Sequence, residues 1–207
     1  MPNDYDYKYD CLQDPYVYPG TTILKNKFNI RDQDILSTLE RQISETKILM
    51  QNRTNSEFSR GNFDLKHLQS IHKYLFGDIY DWAGKLRTEG FISKGSSIFC
   101  FAPMIESYAN GIFTKMSRED FSKMDVQQCA QKFAYYLSEV NALHPFREGN
   151  GRATRLFFQA LADKQGWQLS LHTIPHAQLV QAMIESMHGS TVPLSLLLEK
   201  SLKRHEH

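Results

Sequence analysis

A chain of 207 residues falls in the size range of one domain and can bury a substantial core, so a single compact unit is expected. Hydrophobic residues make up 41%, aromatics 12% and charged residues 23%, with a net charge of +1, which excludes a general nucleic-acid coat or a charge-driven membrane-surface binder. Cys11, Cys100 and Cys129 form no CxxC pair and no metal spacing with histidine, and read as free thiols in a reducing compartment. No basic-then-apolar leader opens the sequence, and no stretch approaches the roughly 18 apolar residues of a membrane span. A soluble protein made without a cleaved signal is expected.

Met1 to about Phe28 is rich in Tyr, Asp, Pro and Gly, shows no sustained period and contains the turn Tyr18-Pro19-Gly20, so it reads as an arm with little regular structure. From Asp32 to about Met50, Ile35, Leu39, Ile43 and Met50 predict a helix, with Gln51 to Asn62 a polar and mobile break. Leu65, Leu68, Ile71, Leu75, Ile79 and Trp82 recur in steps of three and four and predict a helix over Asp64 to Trp82. Two short runs, Gly90 to Ser93 and Ser97 to Phe101, flank Lys94-Gly95-Ser96 and predict a β-hairpin, the only sheet expected.

Helical periodicity resumes after Pro103 through Ile105, Tyr108 and Ile112, and again through Val126, Cys129, Ala130, Phe133, Ala134, Leu137 and Val140, a central buried helix. It stops before Pro145, because the residue preceding a proline is pushed out of the helical region. A further helix is predicted from near Arg152 to Lys164 with Gly166 as its stop, and two more around Gln178 to Met187 and Pro193 to Leu202. The fold class expected is all-α with one hairpin, and Lys203 to His207 reads as a solvated tail.

The loop His144 to Gly151 between two helices carries the chemistry, and it points to phosphate. Gly149 and Gly151 permit backbone conformations closed to other residues, so that amide N–H groups can converge into an anion cradle at the start of the next helix. Arg152 and Arg155, three apart in the first turns, are unfavourable beside a helix amino end unless an anion sits there, and the arginine fork suits phosphate oxygens. Glu148 is a candidate Mg²⁺ ligand. His144 titrates near neutrality and is the natural general base. A histidine before a proline, or Gly-Asn-Gly alone, is ordinary loop material; their conjunction is not. Pro145 and Phe146 read as loop-fixing and core-anchoring residues.

The run from His144 to Arg155 resembles the signature of Fic proteins, HxFx(D/E)GNGRxxR, and meets all eight specified positions. Asp81-Trp82-Ala83-Gly84 with Arg87, Ile92-Ser93-Lys94-Gly95 leading to Phe101-Ala102, and Tyr18-Pro19-Gly20 to Asn26-Lys27 resemble further segments of bacterial members. The resemblance implies a Fic fold, a helical bundle with one β-hairpin flap, over residues 31–207, with residues 1–30 an arm packed on it. It implies a protein adenylyltransferase: His144 takes the proton of a Ser, Thr or Tyr hydroxyl on a target, which attacks the α-phosphorus of ATP. Glu148 would hold Mg²⁺, Gly149 and Gly151 would offer N–H groups, Asn150 would orient the α-phosphate, and Arg152 and Arg155 would neutralise the β- and γ-phosphates. The flap, Ile92, Ser93, Lys94 and Gly95, would receive the target as an added strand.

Many Fic proteins are restrained by a helix bearing (S/T)xxxE(G/N). Here Glu89-Gly90 and Glu148-Gly149 lack Ser or Thr four positions earlier, and Ser195 to Glu199 is followed by Lys200. The resemblance therefore implies a separate antitoxin-like inhibitor, as in toxin-antitoxin pairs. No direct nucleic-acid binding, no membrane insertion and a cytoplasmic location are expected, with translocation into a host cell as the effector alternative. His172 and His176 lack a third ligand for zinc, and His67 and His72 read as surface or boundary residues. A phosphate- or phosphocholine-transferring relative and a non-catalytic nucleotide-binding module are the rival functions. Gly151, where kinase-like relatives are expected to carry lysine, and the intact histidine and arginines favour AMP transfer.

Overall fold

The computed structural model describes residues 7–9, 14–53, 57–88, 90–95 and 97–205. Cys11, Ser96 of the hairpin turn, part of the break after Gln51, and the last two residues of the basic tail lie outside them.

The described chain opens with strand β1, Tyr7–Tyr9. Residues 14–30 follow without a regular element beyond a bridge between Val17 and Leu24. Asn26 organises this stretch: its Nδ2 donates to the Leu24 and Ile30 carbonyls and its Oδ1 accepts the Ile30 N–H. Helix α1, Gln33–Arg53, starts where expected but buries a different face. Ile35 and Met50 are exposed, while Leu36, Glu40 and Ser44 point inward. A period read from apolar residues alone misses a stripe whose buried members are polar.

Helix α2, Leu65–Phe76, is capped by the Asp64 side chain on the His67 N–H and ends at Gly77, short of the expected Trp82. Gly77 closes the helix with its N–H on the Lys73 carbonyl, a contact a Cβ there would crowd at 2.5 Å, and Ile79 and Trp82 reach the core from a non-helical segment. The hairpin forms from β2, Ile92–Lys94, and β3, Ser97–Ile98, across Gly95 with φ +58. The sheet has a third member, because β1 adds antiparallel to the free edge of β2.

Helix α3, Ile105–Met116, follows the Pro103 turn. Helix α4, Val126–Leu143, opens with a capping box between Asp125 and Gln128 and is the buried centre, in contact with α3 and with the helices that follow. Helix α5, Asn150–Lys164, begins two residues before the expected start. After Gly166 at φ +79 comes β4, Trp167–Leu169, then α6, His176–Met187, α7, Val192–Ser201, and β5, Leu202–Arg204, which pairs antiparallel with β4.

That second sheet corrects the expectation that the hairpin would be the only sheet. Lys203, Arg204 and His205 of the tail are exposed, as a solvated tail would be, but they are ordered rather than loose. Arg204 lies 4.1 Å over the Trp167 ring and donates to the Met124 carbonyl, so a residue that is basic in sequence is held by an aromatic face. The architecture is all-α with small sheets at its edges. Among the described residues no helix is long and apolar enough to cross a membrane.

Candidate active site

The signature loop is shaped by its own side chains. His144 closes α4 in the left-handed region, φ 43 and ψ 61, a conformation uncommon outside glycine that turns the chain sharply into Pro145. Asn150 then folds the loop back: its Oδ1 accepts the Phe146 N–H at 2.9 Å and its Nδ2 donates to the Phe146 carbonyl at 2.8 Å. Both polar atoms of Asn150 bond the Phe146 backbone, so Asn150 clamps the loop, with the second Nδ2–H not used in these bonds.

Phe146 is fully buried and stacks on His72 with centroids 3.9 Å apart. His72 is itself completely buried, against the expectation of a boundary residue, and His67 is buried as well. The Nδ1 of His72 accepts the Gly84 N–H at 2.9 Å, which leaves Nε2–H to donate to the Glu148 carbonyl at 2.8 Å. Burial holds His72 neutral, with a pKa pushed down to about 4. The segment Asp81 to Gly84 thereby fixes the signature loop through one imidazole.

Gly149 and Gly151 differ in what they require. Gly149 has φ +80, and a Cβ there would lie 2.4 Å from the Phe76 ring, so conformation and space both demand glycine. Gly151 lies inside α5 and shows no positive φ; its missing side chain makes room for Arg155, whose Nη1 would be 3.2 Å from a Cβ. Of the two, only Gly149 uses glycine's conformational freedom. No side chain caps the amino end of α5, so its first N–H groups and its dipole face the cavity in front of it.

That cavity, about 470 Å³, is walled by Lys94, Gly95, Ser97 and Phe99 of the flap region, by His144, Glu148 and Gly149 of the loop, and by Gly151, Arg152, Thr154 and Arg155 of α5. Its far side is apolar, built largely by Leu179, Val180, Met183 and Met187 of α6. Of the residues singled out in the sequence, Asn150, Ile92 and Ser93 stand outside the lining. Ile92 is fully buried beneath the flap.

The electrostatics of the lining are uneven. The His144 ring stacks on Phe99 at 3.9 Å, and its pKa falls to about 3, chiefly through burial and then through Arg87 and Lys94. Glu148 accepts the Gly149 N–H at 2.8 Å; burial and the nearby Glu40 raise its pKa. Arg152 is held from α1: its Nη2 contacts Glu40, its Nη1 donates to Ser44 at 3.0 Å, and Phe76 lies 4.7 Å beneath it. Tyr80 donates to the other oxygen of Glu40. Arg155 has no carboxylate partner among the described residues, and burial and Arg152 lower its pKa.

Two further residues act as anchors, a role the sequence did not reveal. Arg87, buried, donates to the carbonyls of His144 at 2.7 Å, Gly90 at 3.3 Å and Cys100, so one guanidinium ties the flap base to the signature loop. Asp14 in the amino-terminal stretch pairs with Arg147 at 2.6 Å. Neither signal is readable from spacing, since the links to the signature loop, Arg87 to His144 and Asp14 to Arg147, join residues far apart in sequence.

The Fic/DOC family profile matches residues 62–162, a window that begins before α2 and ends inside α5. Protein adenylyltransferase VbhT of Bartonella schoenbuchensis is 38% identical over 94% of this chain, which spans 40% of that relative's length. Probable protein adenylyltransferase y4lH of Sinorhizobium fredii is 32% identical over 94% of this chain and 99% of the relative. Among solved structures, the BepC effector of Bartonella tribocorum with bound AMPPNP superposes with a TM-score of 0.82 at 26% identity, covering 92% of this chain and 97% of that one. The chain belongs to the Fic/DOC family.

Proposed function

We infer that the chain is a protein adenylyltransferase that moves AMP from ATP to a hydroxyl of another protein, as the names of its relatives say of them. The observation that carries this reading is the cavity, which sets a neutral imidazole against an uncapped helix amino end and two arginines. Its volume and its division into a cationic floor and an apolar wall suit a nucleotide with its triphosphate on α5 and its base toward α6.

Above about pH 4 His144 is neutral and can accept the proton of the target hydroxyl. Arg87 and Lys94 depress its basicity, and the negative charge of the triphosphate acts in the opposite sense. The hydroxyl oxygen attacks the α-phosphorus and pyrophosphate leaves toward Arg152 and Arg155, whose charge offsets what builds on the leaving group. Asn150 contributes through the loop it closes, and Gly149 and Gly151 through the close approach of backbone and Arg155 that they permit.

For Mg²⁺ the donor set fits. Among the described residues no three His, Cys, Asp or Glu side chains cluster as a metal cage, while Glu148 offers one carboxylate beside the phosphate floor. This is how Mg²⁺ is usually held, by one or two carboxylates with phosphate oxygens and water. When bound it would neutralise phosphate charge, and Glu148, whose pKa burial and Glu40 raise, would gain a counter-charge that favours its ionised form.

The absence of an acidic partner for Arg155 among the described residues supports restraint by a separate inhibitor that supplies one. The flap, as an edge for strand addition, supports target docking at Ile92 to Gly95. Residues 31–207 form the catalytic domain in this reading, with the arm tied to it by Asp14 and Arg147. Incubation of the purified protein with Mg²⁺ and α-³²P-ATP in bacterial and host lysates tests the activity, beside a His144→Ala control. Labelled bands that vanish in the control support it. Bands that carry phosphate or phosphocholine mass instead of adenylyl, or no bands at all, refute it.

A further inference from the structure

Two buried hydroxyls line the cavity, Ser97 at 5% and Thr154 at 6% exposure, and among the described residues neither side chain makes a hydrogen bond. A buried hydroxyl without a partner is destabilising, and such a group at a cavity wall calls for a ligand that satisfies it. Ser97 is registered opposite Lys94 on the flap. Thr154 lies on α5, at a position that the signature leaves open. The usual bond of a helical threonine to the carbonyl four residues back, here that of Asn150, is not made. The Thr154 oxygen is not sealed in the core either, so it opens on the cavity.

At about 100° per residue, Thr154 lies about 160° around α5 from Arg152, with Gly151 and Arg155 between them. Arg152 marks the flank that α1 holds through Glu40 and Ser44. The flank of Thr154 is the other one, turned toward the apolar lining supplied by Leu137 of α4 and by Leu179 and Met183 of α6. Thr154 thus stands at the seam between the cationic floor and the apolar wall. In a nucleoside triphosphate laid with its phosphates on the floor and its base on the wall, the sugar crosses this seam, because it joins the two. Ribose brings two free hydroxyls there, each able to donate and to accept, and a threonine hydroxyl can do either in return.

We propose that Thr154 reads the ribose of the bound nucleotide: its hydroxyl shares a hydrogen bond with the 2′- or the 3′-hydroxyl, and the site thereby disfavours the analogue that lacks that group. The assignment rests on the nucleotide pose of the AMP-transfer reading. Thr154 moves no proton and touches no reacting atom. It acts on specificity, by holding the sugar to which the α-phosphate is attached, and its contribution is made in the bound state before any transfer.

The test is calorimetric binding of ATP, 2′-deoxyATP and 3′-deoxyATP, each with Mg²⁺, to the full chain and to its Thr154→Val and Thr154→Ser variants. Thermal unfolding of the ligand-free proteins and lysate labelling run in parallel. The parent should bind ATP about three- to tenfold more tightly than one of the two deoxy analogues, the size of a single neutral hydrogen bond. Thr154→Val should lose that factor for ATP while binding the same analogue as the parent does, and Thr154→Ser should keep it. Removal of a hydroxyl that no protein group satisfies should leave the Tm of the free protein unchanged or higher. Equal weakening of all three nucleotides, an ATP affinity that Thr154→Val does not alter, or a Thr154→Val protein that melts lower or fails to fold overturns the proposal. Each of these leaves the transferase reading intact if lysate proteins are still labelled by the parent. The expected binding pattern without any labelled protein sinks the transferase reading and keeps the ribose contact, whereas a chain that binds no ATP sinks both.

Discussion

Substitution of Glu40 by alanine isolates what α1 contributes to the site. Glu40 is 8% exposed and accepts from both Arg152 and Tyr80, so its removal strands a guanidinium and a phenol together. Breaking a fully buried ion pair from one side costs about 3–5 kcal/mol. Here the side chains of Arg152 and Glu40 keep 20% and 11% of their exposure, and Glu148 remains 3.9 Å from Arg152 as a second carboxylate. The expected loss is therefore about 2–3 kcal/mol, or roughly 4–12 °C in Tm for a domain of this size. Thermal and urea unfolding measure it. Pyrophosphate should narrow the gap between variant and parent, because an anion in the cavity then serves the arginine that Glu40 no longer does. A Glu40→Ala protein that melts within about 1 °C of the parent, with or without pyrophosphate, would refute the assignment of Glu40 as the holder of Arg152.

Gly149→Ala sets a Cβ against Phe76 at φ +80 and should cost about 2 kcal/mol or more together with most of the transfer activity; undisturbed labelling would show that the loop tolerates the shift. Arg87→Lys keeps the charge but loses the fork that spans His144, Gly90 and Cys100, and should lower kcat at least about tenfold, checked by single-turnover transfer. His72 and His144 take up protons near pH 6.5 when unfolded but only near 4 and 3 when folded, so stability is full above pH 6.5 and falls with acidification below it. Each adds a slope of up to about 1.4 kcal/mol per pH unit between those limits. His72→Gln should make urea-derived stability between pH 6 and pH 4.5 shallower by about that amount, and parallel slopes for parent and variant would show that His72 is already charged in the fold.

The elements that sequence reading found were those whose signal is local. The run from His144 to Arg155 carries its chemistry within one turn of chain, and α4 declares itself by Cys129, Phe133, Leu137 and Val140 on one face. What escaped it was polar, non-local or terminated by contact. The buried stripe of α1 includes Glu40 and Ser44, which no apolar period reports. His72 looked like a surface residue because its partners, Gly84 and the Glu148 carbonyl, are supplied by distant segments. Strands β4 and β5 are three residues each, too short for alternation to register, and they pair across more than thirty intervening positions. Gly151 was grouped with Gly149 because the letters are the same, whereas only one of them stands where a left-handed turn is needed.

The contact between α1 and Arg152 also bears on how the minimal enzyme is delimited. The stretch matched by the family profile runs from 62 to 162, yet the carboxylate and hydroxyl that seat one of its two arginines lie at 40 and 44, and the apolar wall opposite them begins at 171. A fragment trimmed to the matched window would keep every signature residue and lose the groups that position Arg152 and close the cavity. The unit of catalysis is in this sense wider than the unit of recognition, and a fragment intended to retain activity must be cut outside α1 and α6.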